Sequence, residues 1–398
     1  MSASNEFDPS AIYASADMEN AATRVLVSPA KYVQGPGVLQ SVGRYLRIHG
    51  VSRVAILASA RGHGSQAGEV AESLNAAGMF PIASTFAGEC SLAEIDARVA
   101  TLEEEAVDML VAVGGGKCVD AGKCIGHRLG VPVVIVPTLA SNDAPCSALS
   151  VLYSDTGVMS GVEIFPHSPA MVVVDSQVVA DAPERYLVAG LGDAMATWYE
   201  ARVCQQHSFA RTILGTRPTL AASALSEACA DVLYADGLAA CAAVRTGAVD
   251  AALERVVEAN TLLSGVGFES GGLAGAHGYA QGFTVLAEVE RNFLHGEMVG
   301  MGVLAQLMLE RNADEARRVA EFFARVGLPV NLAQLGIDAQ DNDKLEQVAS
   351  GAISFAPFAN LGVEISIATL TQAMRSADHV GRLVAEELGD QAYQKLQN

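Results

Sequence analysis

The sequence is poor in basic residues. Lysine and arginine number 25 against 45 aspartates and glutamates, leaving a formal charge of −20 at neutral pH. A surface of that sign repels phosphate backbones, so no nucleic-acid partner is expected. Long apolar runs are also missing. None approaches the roughly 20 residues that span a bilayer, and the opening MSASNEFDPS lacks the basic and apolar regions of a signal peptide. No membrane association is expected, and a cytoplasmic location follows by default. Closely paired cysteines are the third absence. The seven cysteines are scattered and never fall in a C-x-x-C arrangement, whereas thiolate metal sites usually need close pairs. They read as reduced, mostly buried small hydrophobes.

The chain has 398 residues, of which 51% are hydrophobic, and its 38 glycines form no regular repeat. That composition excludes disordered and fibrous classes. The length exceeds what one growing core accommodates, so two domains are expected. Residues 1–23 are polar and aperiodic and read as a flexible tail. Beyond them, apolar runs at 54–59, 81–86, 109–113, 133–136 and 171–175 alternate with amphipathic stretches. This is the pattern of strand, helix, strand units around a mostly parallel sheet. Residues 151–163 read as a β-hairpin, with Asp155, Thr156 and Gly157 supplying its turn. After residue 175 helical spacing takes over, and Pro183 followed by Glu184 suits a first helical turn. The expected division is therefore an α/β domain over 24–182 and an all-α domain over 183–398. Open parallel sheets bind ligands beyond the carboxyl ends of their strands, and a helical domain can wall off the other side. The active site is expected in the cleft between the two.

Three segments carry chemistry. The strand at 108–113 runs directly into Gly114, Gly115, Gly116 and Lys117 and then a helix. Glycines let the backbone approach a ligand, and free N–H groups at a helix start attract phosphate. The segment is neither a G-x-G-x-x-G fingerprint nor a P-loop, and a plain tight turn is the simpler alternative. Next, the polar loop at 137–147 follows a strand and contains Asp143, a carboxylate able to accept hydrogen bonds from substrate hydroxyls. An Asx turn is its plainer reading. Last, Asp193, His277 and His295 offer one carboxylate and two imidazoles, the donor types that suit Zn²⁺ or Fe²⁺. Their spacing is too wide for a local zinc motif, and a single histidine is more often a core or capping residue. Two histidines eighteen positions apart, each beside a glycine, tilt that balance toward ligation.

Six ordered blocks resemble the iron-containing-type (group III) alcohol dehydrogenase superfamily, and within it the glycerol dehydrogenases. They are SPAKYVQGPGVL (28–39), VGGGKCVDAGK (113–123), VPTLASNDAPCSALSVLY (136–153), GLGDAMATWYEA (190–201), GGLAGAHGYAQGF (271–283) and FLHGEMVGMG (293–302). The resemblance implies an N-terminal α/β nucleotide-binding domain, a helical metal-binding domain, NAD and one divalent ion, zinc or alternatively iron. Carried over by position, it implies that Asp193, His277 and His295 hold the metal and Asp143 binds substrate. Gly115, Gly116 and Lys117 match the pyrophosphate segment, Thr138 and Ser141 the loop after it, and Ser147, Leu149 and Tyr153 the nicotinamide side.

The implied reaction converts glycerol or another vicinal diol with NAD to the hydroxyketone, dihydroxyacetone for glycerol, and NADH. Its metal acts as a Lewis acid on a substrate hydroxyl. The expected partners are a small polyol and further copies of the chain in a homo-oligomer. One position departs from the family pattern. NAD users of this kind place an acid at the end of the first strand to meet the adenosine ribose, but Ser59 stands there with Arg61 nearby. A carboxylate would repel a 2′-phosphate, so NADP is possible as well. The alternative reading is accordingly an NADPH-dependent reductase of 2-oxo acids or other small carbonyl compounds on the same fold. Strongly anionic substrates are disfavoured, because the segments around Asp143, His277 and His295 supply almost no basic residue besides Arg291.

Overall fold

The structure, a computed structural model, describes residues 7–14, 23–155, 157 and 159–397. Residues 1–6 and 15–22 of the expected tail, and Thr156 of the expected hairpin turn, lie outside the described residues. Within the tail, Pro9–Tyr13 forms a short helix. The chain packs as two compact units. One holds Val27–Ala182 with Thr246–Val249, and the other Pro183–Arg245 with Asp250–Asn398.

The first unit is built on six parallel strands, β1 (Tyr32–Gly35), β2 (Arg53–Ala58), β3 (Phe80–Thr85), β4 (Met109–Gly114), β5 (Val133–Pro137) and β8 (Met171–Asp175), in the order β1-β8-β5-β4-β2-β3. The β-branched runs in β2, β4, β5 and β8 are buried almost throughout, as expected where helices cover both faces of a parallel sheet. Val54, Ile56, Val111, Val113, Val134, Val136 and Val173 share one core cluster. β1 is a strand that the apolar pattern does not announce: it has four residues, all half-buried, at the sheet edge. The hairpin stands apart as β6 (Leu149–Tyr153) and β7 (Met159–Ile164), antiparallel, with a register irregularity at Leu152 and Tyr153.

The strand order fixes where a ligand belongs. From β2 the chain steps outward to β3, returns past β2 to β4, and continues the other way through β5. The direction of winding therefore reverses between β2 and β4, which pair directly through Leu57 and Ala112. At such a reversal the loops leave the carboxyl edge on opposite sides and open a crevice. The residues that follow the two strands there are Ser59 after β2 and Gly115 after β4.

The second unit is helical, apart from an isolated bridge between Arg24 and Arg217. Its central helix, Glu184–Gln206, is buried around most of its circumference. The helices Leu220–Arg245 and His295–Leu309 pack against it. An interior helix of this kind reads as apolar on every side, and the polar groups it does carry stand out. Among the described residues no helix is long and apolar enough to cross a membrane. All seven cysteines are buried, and none forms a disulfide.

Asp175 closes the first unit at the end of β8. Its Oδ1 accepts from the backbone N–H groups of Gly37 (3.0 Å) and Gln177 (3.0 Å), and Oδ2 accepts from that of Leu39 (3.2 Å). One buried carboxylate thus caps the helix Ser176–Ala180 and ties the turn after β1 to the sheet. Asp175→Ala strands three backbone donors and should lower unfolding stability by about 3 kcal/mol, measured by urea titration of both proteins. A change under about 0.5 kcal/mol, the size of an ordinary surface substitution, would remove Asp175 from this role.

Candidate functional site

In the helical unit, two glycines decide which side chains meet. A Cβ on Gly192 would stand 2.2 Å from the Gly296 carbonyl oxygen, and one on Gly296 would stand 1.8 Å from the Ala189 carbonyl oxygen. The helices Glu184–Gln206 and His295–Leu309 therefore cross with backbone touching backbone. Asp193, next to Gly192, meets His295, next to Gly296. A third helix, Ala276–Phe283, is seated the same way: a Cβ on Gly302 would lie 2.2 Å from the Ala276 carbonyl oxygen. That contact delivers His277.

The resulting cluster is compact. Asp193 Oδ1 lies 3.4 Å from His295 Nε2 and 3.6 Å from His277 Nε2, and one ligand atom from each residue falls within 4.8 Å of the others. Two ligand atoms about 2.0–2.1 Å from a tetrahedral ion are separated by about 3.4 Å, so these spacings fit a shared ion better than direct hydrogen bonds. The carboxylate is only 1% exposed while the His295 side chain is 50% exposed. A site closed on the Asp193 side and open on the His295 side leaves room for a further ligand. Among the described residues no other group of three potential ligands converges in this way.

Glu200, which the sequence analysis passed over, holds His277 in place. It sits two helical turns beyond Asp193, fully buried. Its Oε2 is 2.6 Å from His277 Nδ1, and its Oε1 accepts from the backbone N–H groups of Ala274 (2.9 Å) and His277 (3.1 Å). The carboxylate selects the tautomer with Nδ1 protonated and leaves the Nε2 lone pair facing Asp193. Burial works against a charge on His277, but the Glu200 carboxylate, with help from Asp193, outweighs it and raises the His277 pKa well above the ordinary value. A proton and a metal ion therefore compete for Nε2, and the ion gains as pH rises. The spacing of Asp193 and Glu200, seven residues apart on one helix, places both carboxylates on one face and was the available signal.

Two further groups hold the other ligand helices. Glu297 caps the helix His295–Leu309 by accepting from the Leu294 N–H at 2.7 Å, and Arg185 pairs with both of its oxygens at 2.8 Å. Gln306 accepts from the N–H groups of Gly275 (2.8 Å) and Ala276 (2.9 Å) at the start of the His277 helix.

In the sheet unit, Gly115 is the extended N-cap of the helix Gly116–Leu129, whose first turn emerges at the carboxyl end of β4. Its leading N–H groups have no intrahelical acceptor. Thr138 keeps the next loop in register by donating its N–H to the Gly114 carbonyl at 3.0 Å. A Cβ on Gly116 would stand 2.7 Å from Asn142 Nδ2, which places that loop, with Ser141, over the glycines. The Asx contact belongs to Asn142, whose Oδ1 accepts from the Ala144 N–H at 3.3 Å, whereas the buried Asp143 makes no cap bond with its side chain.

Several expected cofactor residues have visible partners within the protein. Lys117 meets both oxygens of Glu89 at 2.6 and 2.8 Å, and its ammonium lies 4.8 Å from the centre of the Tyr153 ring. The Ser147 hydroxyl is buried, within 3.2 Å of Lys123 Nζ. Leu149 begins β6 half-buried. Ser59 caps the helix Ala60–His63, accepting from the Gly62 N–H at 3.1 Å, and both Ser59 and Arg61 are exposed.

The family described as iron-containing alcohol dehydrogenase matches residues 33–183. Glycerol dehydrogenase of Escherichia coli is 44% identical over 330 residues, 83% of this chain and 89% of that protein. The Pseudomonas putida glycerol dehydrogenase is 42% identical over 363 residues, 90% and 98% of the two chains. The crystal structure of glycerol dehydrogenase from Schizosaccharomyces pombe superposes with a TM-score of 0.87 at 32% identity, covering 92% of this chain and 93% of that one. The chain belongs to the iron-containing alcohol dehydrogenase family, among the glycerol dehydrogenases, and is an enzyme of that class.

Proposed function

We propose that this enzyme oxidises glycerol, or a closely related vicinal diol, to the hydroxyketone and passes the hydride to NAD, with a divalent ion held by Asp193, His277 and His295. The observation that carries the reading is the convergence of one buried carboxylate and two imidazoles at separations suited to a single ion. When bound, the ion supplies Lewis acidity that makes a substrate hydroxyl easier to deprotonate. One oxygen and two nitrogens with an open position suit zinc best, with iron the second candidate. The alternative, NADPH-dependent reduction of 2-oxo acids, has less support, since the relatives at 42–44% identity are glycerol dehydrogenases. Cytoplasmic location and assembly as a homo-oligomer go with this reading.

The protein's own residues do the positioning. Glu200 fixes the His277 ring, Glu297 and Arg185 fix the helix start that presents His295, and Asp143 accepts a hydrogen bond from a hydroxyl of the diol. The helix start at Gly115 and Gly116 takes the pyrophosphate, with Lys117, Thr138 and Ser141 around it. Ser147, Leu149 and Tyr153 shape the nicotinamide side. An ammonium already paired with Glu89, as that of Lys117 is, adds less to phosphate binding than a free one.

Three measurements test this reading. His277→Ala should abolish both stoichiometric metal and turnover, while Glu200→Gln should keep the ion and weaken its affinity about 10–100-fold in chelator competition. Full occupancy and normal turnover in His277→Ala would refute the assignment.

Asp143→Ala should retain the ion and lower kcat/KM for glycerol by about 100-fold, roughly the loss of a hydrogen bond to a charged group. Loss of metal from that variant would instead make Asp143 a ligand.

The cofactor test uses Ser59→Asp. Aspartate caps a helix as well as serine does, so the Ala60–His63 turn should survive while a 2′-phosphate is repelled. NADP-linked kcat/KM should fall at least about tenfold more than NAD-linked kcat/KM. If the unmodified enzyme already rejects NADP by more than about a thousandfold, some 4 kcal/mol, a group other than residue 59 makes the distinction.

A further inference from the structure

The helix Gly116–Leu129 carries a second lysine whose environment differs from that of Lys117. Lys123 is 4% exposed, and its ammonium faces four oxygens. They are Asp120 Oδ1 at 3.0 Å, the Ala144 carbonyl at 2.9 Å, Ser147 Oγ at 3.2 Å and the Leu149 carbonyl. Asp120, also buried, extends the network: its Oδ2 accepts from the Val151 N–H at 3.1 Å, and its carbonyl accepts from Ser150 Oγ at 2.9 Å. Three of the four oxygens around Lys123 belong to residues 144–149. Both partners of Asp120 lie at the start of β6.

That distribution is informative because a buried ion pair seldom stabilises a fold more than apolar side chains of similar volume would. What it does supply is direction, since an ammonium and a carboxylate accept partners only at fixed places. Here those places fall along the irregular segment between Asp143 and β6, which has only a short 3₁₀ turn to define its path. One helix therefore offers its N-terminus at Gly116 and, two turns later, anchors the loop that carries Ser147 and Leu149.

We propose that Asp120 and Lys123 are a positioning pair: they set the 144–151 segment for the nicotinamide half of the cofactor, while the pyrophosphate end of the same helix works without them. The proposal rests on the reading of this unit as the NAD site. Each acts through the loop it holds.

The two halves can be separated with ligands. ADP reports the adenosine and pyrophosphate end, and NADH adds the nicotinamide. Both are measured by calorimetry on the metal-loaded enzyme, with limited proteolysis of residues 143–153 as a readout independent of binding. In Lys123→Met, which keeps the length of the side chain and removes the charge, ADP affinity should stay within about twofold. NADH affinity should fall at least about tenfold, the weight of one well-placed hydrogen bond, and the loop should be cleaved faster. Asp120→Asn keeps an acceptor for Val151 and removes only the counter-charge. It should shift the NADH-to-ADP ratio in the same direction, and it decides the matter if Lys123→Met does not fold. A ratio equal to that of the unmodified enzyme in a folded variant overturns the proposal, and so does a parallel loss of both ligands. If the unmodified enzyme binds neither ADP nor NADH, the cofactor reading itself fails and this proposal with it.

Discussion

The metal-site geometry depends on one backbone contact, the crossing of Gly192 over Gly296. Any side chain at either position would drive a Cβ to about 2 Å from a carbonyl oxygen, so the two helices would have to separate by more than a tightly packed core tolerates. The ligands lie directly beside the crossing. Asp193 and His295 can approach to 3.4 Å only while the helices touch, and a spread of 1 Å would turn an ion site into a loose acidic pocket. The same crossing buries Asp193 completely. Its carboxylate thereby loses solvent and becomes a strong ligand for a cation placed beside it.

Buried charge recurs in one arrangement in both units. Two buried carboxylates are each met by several fixed donors: Glu200 by three, and Asp175 by three. Lys123 is the reverse case, a buried cation among oxygens. In all three, one side chain organises backbone that has no ladder or helix partner of its own, at a cap, a turn or a loop. For Glu200 and Lys123 these are the segments that carry candidate ligand residues, His277 in one case and Ser147 and Leu149 in the other. Most of the remaining interior is apolar, with alanine, valine and leucine the commonest side chains.

The sequence discloses these layers unequally. The strands β2, β4, β5 and β8 are legible because a parallel strand buried on both faces must be apolar nearly throughout, and runs such as Val54 to Ala58 satisfy that; β3, at the other edge, is legible only as the short run from Pro81. β1 escapes detection, since four half-buried edge residues make no run. The metal triad spans about a hundred residues, and only resemblance to other chains joins its parts. Composition favours a histidine as ligand only weakly. Glu200 was within reach, because its seven-residue offset from Asp193 is a helical repeat within the mostly apolar stretch 187–201. The pairings of Lys117 with Glu89 and of Lys123 with Ala144 and Leu149 were not, because backbone carbonyls and distant loops leave no mark in residue type. The identity of Asn142 as the Asx residue, beside Asp143, likewise turns on a bond that either side chain could make.

Ser59 illustrates how one position can carry two separable jobs. The strand β2 ends there and a helix begins, so the residue must accept a hydrogen bond from the Gly62 N–H, which serine, threonine, asparagine and aspartate all do. The fold therefore constrains the position to a short polar side chain and no further. Charge is the remaining freedom. It faces outward at the point where the winding of the sheet reverses, where a dinucleotide would present its ribose. On the proposed cofactor reading, serine in place of aspartate leaves the cap intact and changes which ribose is tolerated. On that reading, cofactor preference at this site is decoupled from stability, because the cap needs only the acceptor and the discrimination needs only the charge.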